Sequence, residues 1–252
     1  MLKKGALSLL LIALASVCFT ATASAGQKIV VSAAASLTDA FTEIGRDFEA
    51  ANPGVNVVFN FGGSGSLLQQ ISNGAPVDVF ASADIETMDM ARQKGVVDPS
   101  TVFYFAATKL VLVAPKESHI KVLKDLSGSS VKRIAVGNPD LVPVGRYTKE
   151  ELERDGMWGG LEPKFLYCAS VRKVLDEVTH GEVDAGFVYE TDAAIVPNKL
   201  KLICELGGYR PVVYPIAAVT ASKYPVLDKE FIKYILSERG QAVLARYGFI
   251  NP

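Results

Sequence analysis

The stretch KIVVSAAASLTDAF, Lys28 to Phe41, decides how the chain is read. Ile29-Val30-Val31 is a β-branched run that stops at a patch of small residues, Ser32 to Ser36. Leu37, Phe41, Ile44 and Phe48 then recur at i, i+4, i+7 and i+11, the spacing of one helix face. The pattern predicts strand, tight turn and helix, with Ser36 at the helix entry. The first turn of a helix has backbone N–H groups without intrahelical partners, and its dipole is positive there. A small uncharged hydroxyl at that point leaves room for an anion to reach those donors. Taken alone, Ser36 is first of all a helix cap; what changes its meaning is that the same device recurs along the chain.

The first 25 residues read as an export signal. Lys3 and Lys4 precede the apolar run Leu9–Val17, and Ala23-Ser24-Ala25 has the small-x-small pattern of a cleavage site, so the mature chain is expected to start at Gly26. Cys18 raises lipid attachment, which the bulky Val17 before it disfavours. No other apolar run reaches membrane length, so an exported, periplasmic, monomeric product is expected. The mature 227 residues suffice for two modest lobes. Without Lys3 and Lys4 the 26 basic residues become 24, against 27 acidic ones, a net charge of −3. That balance argues against nucleic acid or an anionic membrane as partner, since both require a basic face. Cys168 and Cys204 remain, and their pairing or freedom is left open. His119 and His180 lack the neighbours of a zinc site.

Short β-branched runs alternate with helical patterns, which predicts an α/β fold with mostly parallel sheets. Val55–Phe61 and Val77–Phe80 follow as strands, with Asn52-Pro53-Gly54 as the intervening turn and Asp84 as a helix cap. Lys109–Pro115 and Pro211–Val219 are longer strands on either side of a central block of α/β pattern. They are read as two hinge crossings, at Lys109–Ala114 and Val213–Val219. Lobe I is then 26–108 plus 217–252, and lobe II is 109–216, including the hinge strands.

Four strand-to-helix turns carry the candidate chemistry. Ser36 opens one helix, and Ser64, within Gly62-Gly63-Ser64-Gly65, opens a second, where glycines let amides approach a ligand closely. Val144-Gly145 after Pro143 opens a third, and Val171 after the N-cap Ser170 a fourth. Tyr189 ends a strand and so stands on the same rim, because ligands of open α/β sheets collect at the carboxyl ends of the strands. Two hydroxyls, several amides and a phenol are nearly all neutral donors. They suit a small tetrahedral oxyanion and not a cation, which needs carboxylate or carbonyl oxygens.

Each element also has a plainer reading. The Gly62–Gly65 run has neither the Gly-Lys-Ser/Thr of a phosphate loop nor the spacing of a dinucleotide fingerprint. Tyr189 fits a core aromatic equally well. Arg146 and Arg172 stand just beyond two of the turns and are read first as solvated or paired with carboxylates, second as anion contacts. Asp78, Asp84, Asp184 and Asp192 sit at strand ends and caps, where a structural role is favoured. A hydrolase would need a base or metal that these turns lack, with His180 the one candidate. Sulfate, phosphate, ferric ion and organic acids are the other ligand classes. Phosphate favours a carboxylate acceptor, and ferric ion a Tyr cluster with His or carboxylate.

The stretches AAASL at 33–37, GSGSL at 63–67, APVDVFASAD at 75–84, LVLVAPK at 110–116, AVGNPDLVPVGRY at 135–147, GFVYETDA at 186–193 and YPIA at 214–217 resemble the periplasmic molybdate-binding proteins of ABC importers, in register over the mature chain. The resemblance implies a class II periplasmic-binding-protein fold that closes on molybdate or tungstate and delivers it to a membrane permease, with no cofactor, no catalysis and no direct metal-cation ligands. It carries Ser36 and Ser64 over as hydroxyl and amide donors, Val144 and Val171 as backbone donors, and Tyr189 as the phenol donor. The family often has Ala where Val144 stands, Asp where Ser170 stands, and a more serine-rich version of the turn around Ser64.

Overall fold

The computed structural model describes residues 26–207 and 211–252; the expected signal segment and its cleavage site lie outside the described residues. The strand and helix read from Lys28–Phe41 are present. Strand β1 (Gln27–Ala34) runs into a 3-10 turn at Ala35–Leu37 and then helix α1 (Thr38–Ala51). The face of α1 with Phe41, Ile44 and Phe48 is fully buried, each such side chain contributing about 1.5–3 kcal/mol. Gly54, with φ +93°, makes the turn into β2 (Val55–Gly62) in a left-handed conformation that glycine adopts without a Cβ penalty.

The described residues form two five-stranded sheets, each mixed. The first has order β2-β1-β3-β10-β4, with β3 Val79–Ala81, β4 Phe103–Thr108 and β10 Val212–Ala218. Here β1 pairs parallel with β2 and β3, whereas β10 is antiparallel to both β3 and β4. The second has order β7-β6-β8-β5-β9, with β5 Leu110–Pro115, β6 Ile134–Gly137, β7 Phe165–Cys168, β8 Ala185–Tyr189 and β9 Leu200–Leu206. Strands β6, β7 and β8 are parallel, while β5 is antiparallel to β8 and β9. Three parallel strands in each sheet therefore feed helices from one rim: α1, α2 (Ser64–Ser72) and α3 (Ile85–Gln93) from the first; α4 (Pro143–Arg154), α6 (Val171–Thr179) and α7 (Glu190–Ala194) from the second. The short α5 (Trp158–Leu161) follows α4.

The passages between sheets differ from the sequence expectation. Every residue of β5 lies in the second sheet and every residue of β10 in the first. The strands do not straddle the lobes; the chain crosses at Lys109, between β4 and β5, and again between Leu206 and Val212. Val212–Ile216, assigned by sequence to lobe II, hydrogen-bonds with β3 and β4 of lobe I. The physical reason is economy of backbone pairing: a strand that stays in one sheet satisfies its N–H and C=O groups in an unbroken ladder. The terminal helices α8 (Pro225–Leu236) and α9 (Glu238–Arg246) return to the first sheet. Phe231 of α8 stacks edge-on against Phe41 and Phe48 of α1.

Cys168 and Cys204 are both free thiols. They occupy β7 and β9, the opposite edges of the second sheet. Four strand spacings put them about 19 Å apart, far beyond the roughly 7 Å limit on Cα separation for a disulfide.

Candidate functional site

All five sequence-selected residues line one cavity between the two sheets. Ser36 and Ser64 come from the first lobe, and Val144, Val171 and Tyr189 from the second, with Ala34, Gly63, Ala83 and Val142 among the other walls. The cavity volume is about 10 Å³, far below the roughly 300–1,000 Å³ of pockets that take organic ligands. Each of the five is almost wholly shielded from solvent. The size and burial suit a small polyatomic ion stripped of water.

Local sequence explains how each donor arrives there. Gly63 is the N-cap of α2 and Ser64 its first residue. Pro143 is the first residue of α4, where its missing N–H is no loss, which makes Val144 the second. Ser170 caps α6 by accepting from the Lys173 amide at 3.2 Å, which makes Val171 the first residue of that helix. The first N–H groups of a helix generally have no acceptor one turn back, although the Gly145 amide of α4 does reach the Val142 carbonyl at 2.9 Å. Ser36 is not a helix cap; it sits in the 3-10 turn without a side-chain cap bond.

The hydroxyls are differently placed. Ser64 Oγ accepts from the Ala83 amide at 3.1 Å, which leaves its own hydrogen free to donate. Ser36 Oγ lies 3.0 Å from Tyr214 Oη. Tyr189 Oη is buried and has no hydrogen-bond partner. Its ring meets that of Tyr214 edge-on at 6.0 Å, across the two lobes. Burial pushes both phenols well above their usual pKa, so both stay protonated and able to donate.

Arg146 and Arg172 do not line the cavity. Arg146 Nε and Nη2 donate to Asp84 Oδ2 at 3.0 and 2.5 Å, and Nη2 also reaches Thr87 Oγ1 at 2.6 Å. Arg172 Nε donates to Asp192 Oδ1 at 2.6 Å, its Nη1 lies 2.8 Å from Asp39 Oδ2, and its Nη2 donates to the Ser36 carbonyl at 3.4 Å. Asp192, fully buried, has its carboxyl raised to about 6 by burial, against the pull of Arg172. Asp84 caps α3 by accepting from the Thr87 amide. The positive charges are thus met by carboxylates, and the cavity itself is walled by neutral groups.

Sequence reasoning missed Tyr214 as the partner of Ser36; its phenol lies in the YPIA stretch, but nothing local signals a contact 178 residues away. It also missed the backbone bond across the lobes from the Gly65 amide to the Leu141 carbonyl, 2.9 Å long. His180 Nδ1 lies 2.7 Å from its own helix's Asp176 carbonyl, and His119 Nε2 2.9 Å from Ser130 Oγ. Among the described residues there is no group of three or more His, Cys, Asp or Glu able to hold a metal ion, and no helix long and apolar enough to cross a membrane.

A family model for bacterial extracellular solute-binding proteins matches residues 29–250. The chain belongs to that family. Among its relatives is the molybdate-binding protein ModA of Escherichia coli, 37% identical over 233 residues that span 88% of each protein. A putative ABC transporter substrate-binding lipoprotein, YvgL of Bacillus subtilis, is 35% identical over 88% of this chain and 85% of its own length. Among solved structures, the periplasmic molybdate-binding protein of Azotobacter vinelandii superposes with a TM-score of 0.76 at 23% identity, covering 89% of this chain and 99% of that one. The sulfate-binding protein SubI of Mycobacterium tuberculosis superposes at 0.79 with 16% identity, over 89% and 87% of the two chains. At those identities the structural matches speak for the fold.

Proposed function

We propose that this solute-binding protein captures molybdate, and tungstate with it, between its two lobes and delivers it to the membrane permease of an ABC importer. It acts outside the cytoplasm, by binding alone and without covalent chemistry. Ser36 and Ser64 supply hydroxyl and amide donors, Val144 and Val171 backbone amides, and Tyr189 its phenol. The observation that carries the reading is the buried, unpartnered Tyr189 hydroxyl on the wall of a cavity lined by neutral donors. A buried polar group without a partner costs about 1–3 kcal/mol, and an oxyanion would relieve it. The absence of a carboxylate from the cavity wall suits a fully deprotonated dianion, because phosphate near neutral pH carries a proton that needs an acceptor. Sulfate has the charge and shape but shorter bonds to oxygen, so a rigid cage sized for molybdate would meet it with stretched hydrogen bonds. Because ligand stands between donors from both lobes, it stabilises the closed arrangement by bonding both sides at once.

The test is a melting-temperature titration with molybdate, tungstate, sulfate and phosphate. Ligand at a thousandfold excess over Kd stabilises by about 4 kcal/mol, on the order of 10 °C for a chain of this size. That shift is expected with molybdate and tungstate, with little from the other two. An equal or larger shift with sulfate or phosphate refutes the assignment.

A further inference from the structure

We propose that Arg146 and Arg172 are positioning residues: each crosses from lobe II to hold the oxyanion-binding serine of lobe I in its donating geometry. The proposal rests on the site assignment above. The two arginines occupy parallel places in the sequence. Arg146 follows the donor Val144 by two residues and Arg172 follows the donor Val171 by one. Both side chains reach back over the cleft to a carboxylate beside a serine. Arg146 grips Asp84 with two nitrogens. Asp84 is held by the Ser82 hydroxyl at 3.1 Å, and between them lies Ala83, whose amide donates to Ser64 Oγ. Fixing Asp84 therefore fixes the amide that occupies one acceptor direction of the Ser64 hydroxyl, which orients its proton.

Arg172 works more directly. Its Nη2 donates to the Ser36 carbonyl and its Nη1 pairs with Asp39, three residues on, so the turn carrying Ser36 is tied at two points. On its own lobe Arg172 is anchored by the fully buried Asp192, which keeps the guanidinium aimed across the cleft. Neither guanidinium reaches the cavity, and each is met by carboxylate charge, so neither acts as an attractive field for the ligand. Their effect is geometric, and it exists only while the lobes are together. A guanidinium is suited to this because its planar fork makes several directed bonds at once, which an ammonium cannot do.

The experiment compares Arg146→Gln, Arg172→Gln and Arg172→Lys with the unaltered protein and with Ser36→Ala and Tyr189→Phe. Molybdate association and dissociation rates, molybdate and sulfate affinities, and the melting temperature without ligand are measured for each. Breaking a partly buried charge pair acts on dissociation, so each Gln variant is expected to release molybdate on the order of tenfold faster, with association within about twofold. The preference for molybdate over sulfate should fall as the cage loosens, and Arg172→Lys should recover only part of the loss. An unchanged dissociation rate overturns the proposal. So does equal weakening toward both anions, which would make the arginines simple attractors, or a lowered ligand-free melting temperature with normal affinity. If Ser36→Ala and Tyr189→Phe leave binding intact, the site assignment itself fails and takes this proposal with it; if they weaken binding and the arginine variants do not, only the positioning role fails.

Discussion

Replacing Tyr189 by Phe should separate binding from folding more cleanly than any other change at the site. The phenol oxygen is buried and has no hydrogen-bond partner within the protein. Its removal therefore breaks no hydrogen bond of the fold, so the empty protein should be about as stable as before. In the loaded protein the same change removes one hydrogen bond to a doubly charged ligand, about 1.5–3 kcal/mol, which is roughly a 10- to 150-fold weaker Kd. Ser36→Ala makes the contrast. The Ser36 hydroxyl lies 3.0 Å from Tyr214 Oη, and truncation leaves that buried phenol alone, at a cost of about 1–3 kcal/mol to the empty fold. Calorimetric titration with molybdate, together with the ligand-free melting temperature, reads both effects. Tyr189→Phe should move only the first, and Ser36→Ala both. A Kd for Tyr189→Phe within twofold of the parent, or a ligand-free melting temperature lower by several degrees, would refute the reasoning.

Two further changes probe closure and the core. A Cβ on Gly65 would stand 2.8 Å from the Leu141 carbonyl oxygen and 2.9 Å from Leu141 Cα, across the lobes; Gly65→Ala should therefore weaken molybdate binding by at least about tenfold, while the empty protein, free to stay open, keeps or slightly raises its melting temperature because alanine is the better helix residue. Asp228, in α8, is fully buried, and burial, with Asp78 nearby, pushes its pKa up to about 6 against the opposing pull of Ser222. Because the folded value exceeds the unfolded one of about 3.9, its charge costs stability progressively as pH rises from about 4 through 6. Asp228→Asn should raise the melting temperature at pH 7.5, by up to about 3 kcal/mol in stability, with the gain vanishing near pH 4 in a pH series.

What the sequence discloses here is mostly local. Each of the five candidate residues sits at a strand-to-helix turn, and turns are written in short-range chemistry: small residues at Ser32–Ser36, glycines around Ser64, Pro143 before Val144, a capping serine before Val171. Because parallel strands send those turns to one rim, a local reading also predicts their meeting place. The sequence misplaces the hinge because β5 and β10 are long and look alike, and pairing partners 73 to 139 residues away are not encoded in either strand. Strand β9 was overlooked for a related reason: as an edge strand its Lys-Leu-Ile-Cys-Glu pattern is half exposed and shows no clean apolar run. The roles of Arg146 and Arg172 depend on contacts between lobes, and that of Tyr214 on a partner 178 residues away. A chain read residue by residue gives an arginine its charge, but not the carboxylate it will meet.

The two passages of the chain at Lys109 and after Leu206 have a consequence for any partner that must tell a full receptor from an empty one. Since none of the described strands is shared between the sheets, swinging the halves apart leaves both ladders intact. On the proposed function, occupancy is then expressed chiefly as the angle between the halves. If the chain delivers its ligand as proposed, a transporter subunit that waits for cargo would rest on both halves together and sense the gap between its two footholds.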